Sequence, residues 1–372
     1  MKAAWFKTLM SLVGSGAALS PDIRNAGFSA SNLDTPEVLH PRSFAHFGSQ
    51  RVRINYGRFT VPPATEENGV KRFSLQTAPP CKDCLLTRIR ADLQHPDGTG
   101  SANRDTDVWL RHVLVTNLER DSATCPLLAA PIYASGNERA EADISLGREK
   151  NNSTLKAGYP LSPTAILIFT LKLMNPSPTT AQAAVLTMDW EFVPCPRAAA
   201  SGFRNATPVW LDIDGSCLQH GSEVPVPAVG GGGGGGGGGA QVPFSLAMDP
   251  PWTADLSGEV VLVLAHLQDG GVELDVWRGA RTVCRSVARY GEEERGRHGG
   301  GGGGGGGGGR DAVAGRHLSG MSACERIGRV APGDRWSVRA DYDFARHAPV
   351  MEGAAPAPVM GTALMYVLED GE

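Results

Sequence analysis

The chain has 372 residues, with 35 Lys and Arg against 39 Asp and Glu and a formal net charge of −4. It carries no basic block of the kind that tracks a phosphate backbone, which excludes nucleic acid as a partner. The length is that of two ordinary domains with chain enough for sizeable cores.

In chain order, the first residues, "MKAAWFKTLMSLVGSGAALSPD", place Lys2 and Lys7 before an apolar stretch that ends in small residues. That is the pattern of a signal peptide over residues 1–20, and the expected destination is extracellular. Sequons at Asn151 ("NNS"), Asn152 ("NST") and Asn205 ("NAT") suit the same route as candidate glycosylation sites. Seven cysteines, at 81, 84, 125, 195, 217, 284 and 324, suit an exported chain with several disulfides and one sulfur left over. Cys81 and Cys84 in "PPCKDCLL" have no second CxxC to complete a zinc ribbon. A disulfide role follows for the pair, with oxidation between them or to distant partners left open.

Apolar–polar alternation recurs in "KRFSLQT", "LLTRIRADLQ", "VWLRHVLVTNL", "AILIFTLKLM", "AVLTMDWEFV", "VVLVLAHL", "VELDVW", "DRWSVRADYDF" and "VMGTALMYVLE", separated by Pro, Gly, Asn and Asp. The two longest apolar runs are too short to cross a bilayer, so no membrane span is expected. No long stretch has helical periodicity. The fold class is all-β, as two tandem β-sandwich, jelly-roll-like domains. The stretch "PCPRAAASGFRNATP" marks the boundary, giving a first domain over 50–195, a linker over 196–207 and a second domain over 208–370. Two glycine tracts, 230–239 and 299–309, have no side chains to bury and read as flexible surface loops. They lack the Lys-Ser/Thr ending of a phosphate-cradling loop.

The stretch "LVLAHLQDGGVELDVW" holds one histidine at the end of an apolar run. By alternation Val260, Leu262, Leu264, His266 and Gln268 share a strand face, and Asp269, Gly270 and Gly271 form a hairpin turn. Strand positions two apart lie about 6.5–7 Å from each other, so imidazoles at both 266 and 268 would grip one ion. The second is a glutamine, and on this stretch alone His266 reads as a strand-end residue facing water or a backbone carbonyl rather than as a metal ligand. Asp212 and Asp214 in "VWLDIDG" read as turn-solvating residues, with no other carboxylates clustered nearby in sequence. No GxSxG elbow, HExxH helix or Cys/His nucleophile pattern is present.

Taken in order, "VWLRHVLVTNL", "YASGNER", "LKLMN", "TPVWLDID", "AHLQDGG", "HLSGMSAC" and "VMGTALMYVLE" carry a resemblance. From about residue 50 to 370 the chain resembles the fungal branch of the stress up-regulated Nod 19 family, which is similar to peptidylglycine alpha-hydroxylating and dopamine beta-monooxygenases. The resemblance implies two β-sandwiches with one copper in each, and C–H hydroxylation with dioxygen and ascorbate.

Residue by residue, it places a His-His pair at "LRHVL", where His112 fits the second member and Arg111 stands in place of the first. A guanidinium has no lone pair for copper. Consecutive strand residues also face opposite sides, so such a pair needs a twist or bulge to converge. The later ligand of that site falls near Met174. For the second copper the resemblance assigns His266, Gln268 in place of a second imidazole, and Met360, with His317 as a substitute ligand. It also implies a Cys284–Cys324 disulfide across the second glycine tract.

Each implied copper site thus lacks an imidazole. The expected protein is a secreted, monomeric one of copper type II monooxygenase-like fold, degenerate at both sites and acting in binding or a structural role. The alternatives are an active copper- and ascorbate-dependent monooxygenase, or a protein holding a single copper near His266 and Met360.

Overall fold

The computed structural model describes residues 35–104, 107–147, 155–218, 220–227, 243–291, 317–352 and 355–370. The stretch expected to be a signal peptide, Asn151, Asn152 and both glycine tracts lie outside them. Among the described residues the regular structure is almost wholly strand. The largest sheet runs from Glu37–Leu39 through Gln50–Val61, Gln182–Pro194, Cys84–Gln94 and Ala157–Leu161 to Arg204–Asp212. It continues through Gly361–Glu369 and Gly258–Leu267 to Cys324–Val330, with Glu141–Asp143 beside Cys84–Gln94. Its pairings are antiparallel except one. Where the sheet passes between the halves, Arg204 and Asn205 pair in parallel with Ala157 and Gly158.

Two further sheets cover this layer and make the sandwiches. One holds Val70–Thr77, Leu167–Met174, Trp109–Asp121 and Ala129–Ser135. The other holds Phe244–Ala247, Arg335–Tyr342, Gly271–Arg278, Arg281–Tyr290 and Leu318–Met321, with Trp252–Thr253 also on Arg335–Tyr342. Period-two alternation turns one set of side chains of each strand into the space between layers. The first core closes around Trp190, Tyr56 and Phe169, and the second around Trp336, Tyr342 and Leu274. Burying each such side chain contributes roughly 1.5–3 kcal/mol. The first core does not stop at the boundary: Leu264, Leu364 and Tyr366 belong to it, and the Tyr366 hydroxyl donates to the Ile132 carbonyl over 2.8 Å. The halves therefore meet along a packed seam.

Two local readings of the sequence are corrected here. Val260 does not share a face with Leu262. The register shifts between them, so Val260 joins the second core while Leu262 and Leu264 join the first; a bulged residue turns the alternation over. Asp269, Gly270 and Gly271 are not a hairpin turn. The strand before them lies in the large sheet and the strand after them in the facing sheet, so the turn is a corner between layers. Gly270, at φ 91°, takes a conformation that side chains rarely adopt. The stretch read as linker starts inside a short helix, Cys195–Ala200, and ends inside the next strand, which begins at Arg204.

Three disulfides brace this frame. Cys81–Cys84 closes a local loop. Cys125–Cys217 ties the loop after Trp109–Asp121 to the segment after Arg204–Asp212. Cys284–Cys324 links the two facing layers of the second sandwich. Cys195 is free.

Candidate functional site

The seam between the halves collects buried polar groups, and a bulge starts it. In the pairing of Trp109–Asp121 with Leu167–Met174, Leu110 lies opposite Leu173 and His112 opposite Lys172, with Arg111 between them as the extra residue. Leu110 and Val113 both enter the first core, so Arg111 and His112 together turn away from it toward the second half. The convergence that alternation forbids is thus supplied by one inserted residue.

What Arg111 meets there is not a metal site but a carboxylate and an amide. Its Nη2 donates to Gln268 Oε1 at 2.6 Å and lies 3.4 Å from Glu223 Oε1. Gln268 Nε2 donates to the same Glu223 oxygen at 2.7 Å, and Lys172 Nζ donates to both Glu223 oxygens at 2.7 and 2.6 Å. Arg72 closes the outer side at 3.1 Å. Glu223 is fixed in place by the neighbouring bridge, where Val224 and Val359 exchange backbone hydrogen bonds of 2.7 and 2.9 Å.

Burial works to raise the Glu223 carboxyl, but Lys172 and Arg111 overcome it and hold it at about 2. Burial, with Arg111 beside it, brings the Lys172 ammonium down to about 8. Burial alone is the largest effect on His112, lowering it to about 3, so that ring is neutral at pH 7. Its Nδ1 is buried without a partner.

His266 is held separately. Its Nδ1 faces both oxygens of buried Glu138 at 3.1 Å, and Glu138 Oε1 also accepts from the Gly136 N–H at 2.7 Å. Burial pushes the Glu138 carboxyl up, yet His266 and the backbone donors prevail and keep it below its ordinary range. Gly136 is required sterically, since a Cβ there would stand 2.2 Å from His266 Cε1 and 2.8 Å from the Arg111 carbonyl. A carboxylate that orients an imidazole is also how metal-binding histidines are commonly supported.

The space beside His266 tests whether copper fits. A cavity of about 30 Å³ is lined by Trp109, Arg111, Asn137 and His266 among others, and about 30 Å³ is one water molecule's share of liquid. Trp109 Nε1, Arg111 Nη1, Asn137 Oδ1 and His266 Nε2 are each buried with no hydrogen-bond partner. Two of these four bring N–H groups, which have no lone pair to offer a cation. The set suits a small hydrogen-bonding guest with two donors and two acceptors. Among the described residues, no group of three or more His, Cys, Asp and Glu converges. The residues present do not fit two three-ligand copper centres.

The other implied ligands lie around this seam without completing a centre. Met174 pairs with Trp109 at the strand end, and it is Lys172 that stands opposite His112. His317 places Nδ1 2.6 Å from Asp269 Oδ2, with its ring 3.6 Å from that of Trp109. Met360 is buried, with Cε 3.8 Å from where a Gly221 Cβ would be, and its carbonyl accepts from the Tyr342 hydroxyl at 2.7 Å. Asp212 serves a turn, accepting from Trp210 Nε1 at 2.6 Å and from the Gly215 N–H at 2.7 Å. Asp214 falls beyond the strand that ends at Asp212. Glu223, Lys172, Glu138 and Asn137 were not singled out by sequence. Glu138 and Asn137 carried a signal as part of "YASGNER", and Lys172 as part of "LKLMN", whereas Glu223 carried none.

Fold and site together define an all-β, disulfide-braced sandwich protein with a buried polar seam between its halves, two histidines among its walls. No family model matches the chain. It is 28% identical over 339 residues to the probable copper-dependent oxygenase M1 of a Phoma species, covering 90% of this chain and 77% of that protein. It is likewise 28% identical over 284 residues to the probable copper-dependent oxygenase clz3 of Cochliobolus lunatus, covering 76% and 78%. Through these distant relatives the chain is copper oxygenase-like. Among solved structures, PNGase F, a glycosylasparaginase from Flavobacterium meningosepticum, superposes with a TM-score of 0.35 at 8% identity, over 85% of this chain and 96% of that one.

Proposed function

We propose that the chain is a secreted binding protein on a copper oxygenase-like framework, in which two-copper chemistry has been replaced by a hydrogen-bonded clamp. Its two tandem sandwiches span 50–195 and 208–370 and act as one monomeric unit. The observation that carries this reading is the 2.6 Å hydrogen bond between Arg111 and Gln268, the residues standing where the resemblance puts imidazoles. Glu223 balances the Arg111 charge, and Arg111 Nη2 and Gln268 Nε2 are engaged by protein acceptors rather than left for a ligand. Three disulfides and the N-terminal "MKAAWFKTLMSLVGSGAALSPD" support export. Asn205, exposed at the start of its strand, is the sequon available for a glycan among the described residues.

One observation favours a second reading. His266 keeps the carboxylate support of a metal ligand, and with Met360 it would hold a single labile copper, as Cu(I) because a thioether is a soft donor. The relatives named copper-dependent oxygenases supply the third reading, an active enzyme. Copper stoichiometry and ascorbate-dependent oxygen uptake separate the three. The clamp reading expects no stoichiometric copper and no uptake above a free-copper control. One weakly held copper without turnover supports the second reading, and two coppers at full occupancy with substrate hydroxylation overturn both.

A further inference from the structure

Away from the seam, a surface cleft of about 240 Å³ opens beside the Cys125–Cys217 disulfide. Its walls are aromatic and apolar, formed by Trp210, Trp252, Met248, Pro250 and Pro251. Asp212, His220, Thr124 and Thr253 bring polar groups to the same walls, and of these His220 is the one with an unpartnered buried atom. Its ring lies 5.6 Å from that of Trp210, and its Nε2 is buried with no hydrogen-bond partner. The ring also bonds the Ala129 backbone in a sense that favours a proton on the ring, so Nδ1–H is the donor there and Nε2 carries the bare lone pair. Asp212, also in the wall, already accepts through one oxygen from Trp210 and through the other from Gly215.

We propose that this cleft binds a neutral phenolic ring, its hydroxyl donating to His220 Nε2 and its face lying against Trp210 and Trp252. The size agrees, since 240 Å³ is about eight water shares, enough for one substituted ring. The chemistry agrees too, because a buried acceptor left bare is costly and a ligand O–H satisfies it. Burial holds His220 down at about 4, which keeps the acceptor available at neutral pH. The proposal is independent of whether the seam binds copper.

Calorimetric titration of the intact, oxidised protein with p-cresol, 4-methylanisole and toluene tests it. These three share a ring, and only p-cresol brings a donor. p-Cresol should bind about tenfold more tightly than 4-methylanisole, the effect of roughly one hydrogen bond to a buried acceptor. His220→Phe should abolish that preference while leaving toluene unchanged, and Trp252→Ala should weaken all three. Absence of p-cresol binding, equal affinity for p-cresol and 4-methylanisole in the unmodified protein, or a preference that survives His220→Phe would overturn the proposal. So would tighter binding of benzylamine, which would point to a cation site at Asp212.

Discussion

Arg111 Nη2 and Gln268 Oε1, from residues 157 apart in sequence, share a hydrogen bond of 2.6 Å across the seam between the two halves. Both side chains are buried and both also address Glu223. Gln268→Ala should therefore cost about 1–3 kcal/mol in a urea denaturation, because it strips buried charged groups of a partner. Arg111→His combined with Gln268→His brings two imidazoles into contact range near His112 and His266. That double variant should bind copper more tightly than the unmodified protein, measured by competition with a chelator; unchanged affinity would mean these positions do not form a metal site even with the right donors.

Glu223 is the sole carboxylate bonded to Arg111 and Lys172 among the described contacts. Glu223→Gln should destabilise by roughly 3–5 kcal/mol, since it leaves two buried cations uncompensated. Adding Lys172→Met should recover part of that loss by removing one of them. A double-mutant cycle in denaturant gives the coupling, and strict additivity would show that the two side chains do not interact.

Acid should unfold the metal-free protein earlier than a chain of this composition without the seam. Glu223 sits at about 2 when folded and near its ordinary 4.5 when unfolded, so its contribution is present above 4.5 and lost as pH falls toward 2. His112 sits at about 3 against 6.5, so below pH 6.5 the unfolded chain takes a proton that the folded chain refuses, and stability again falls until about pH 3. Each group contributes a slope of at most about 1.4 kcal/mol per pH unit. His112→Phe should flatten the urea midpoint between pH 6.5 and 4.5, where Glu223 is still ionised in both states.

Cys284 and Cys324 join strands of opposite layers around the second core. Replacing both by Ser should lower stability by about 2–4 kcal/mol. Proteolysis without reduction should release the two cysteines in one linked species, and separate alkylated peptides from both would contradict the pairing.

Much of the fold was legible because alternation is a local property. Each of the nine segments chosen by that pattern contains or overlaps a strand, from Val70–Thr77 to Gly361–Glu369. Gln50–Val61 was passed over although it alternates, since its arginines obscure the apolar set; Arg51 and Arg53 instead pair with Asp189 on the adjacent strand. In the site, Arg111 and His112 were legible as one implied copper site and His266 and Gln268 as another, whereas the contact that joins Arg111 to Gln268 and their bond to Glu223 were not.

By itself the sequence determined the all-β class, the short strands, and the substitution of Arg111 and Gln268 into positions where the resemblance expects imidazoles. Only the tertiary structure decided what those residues do instead. The bulge that turns Arg111 and His112 to one side depends on the strand opposite, and the corner at Gly270 depends on which sheet each flanking strand joins. Glu223 lies in a segment with no periodic pattern and is set against Arg111 and Lys172 by the Val224–Val359 bridge. Periodicity records which side of its own strand a residue takes, whereas the partner of a buried charge is chosen by contacts between segments far apart in the chain, where no local pattern reaches.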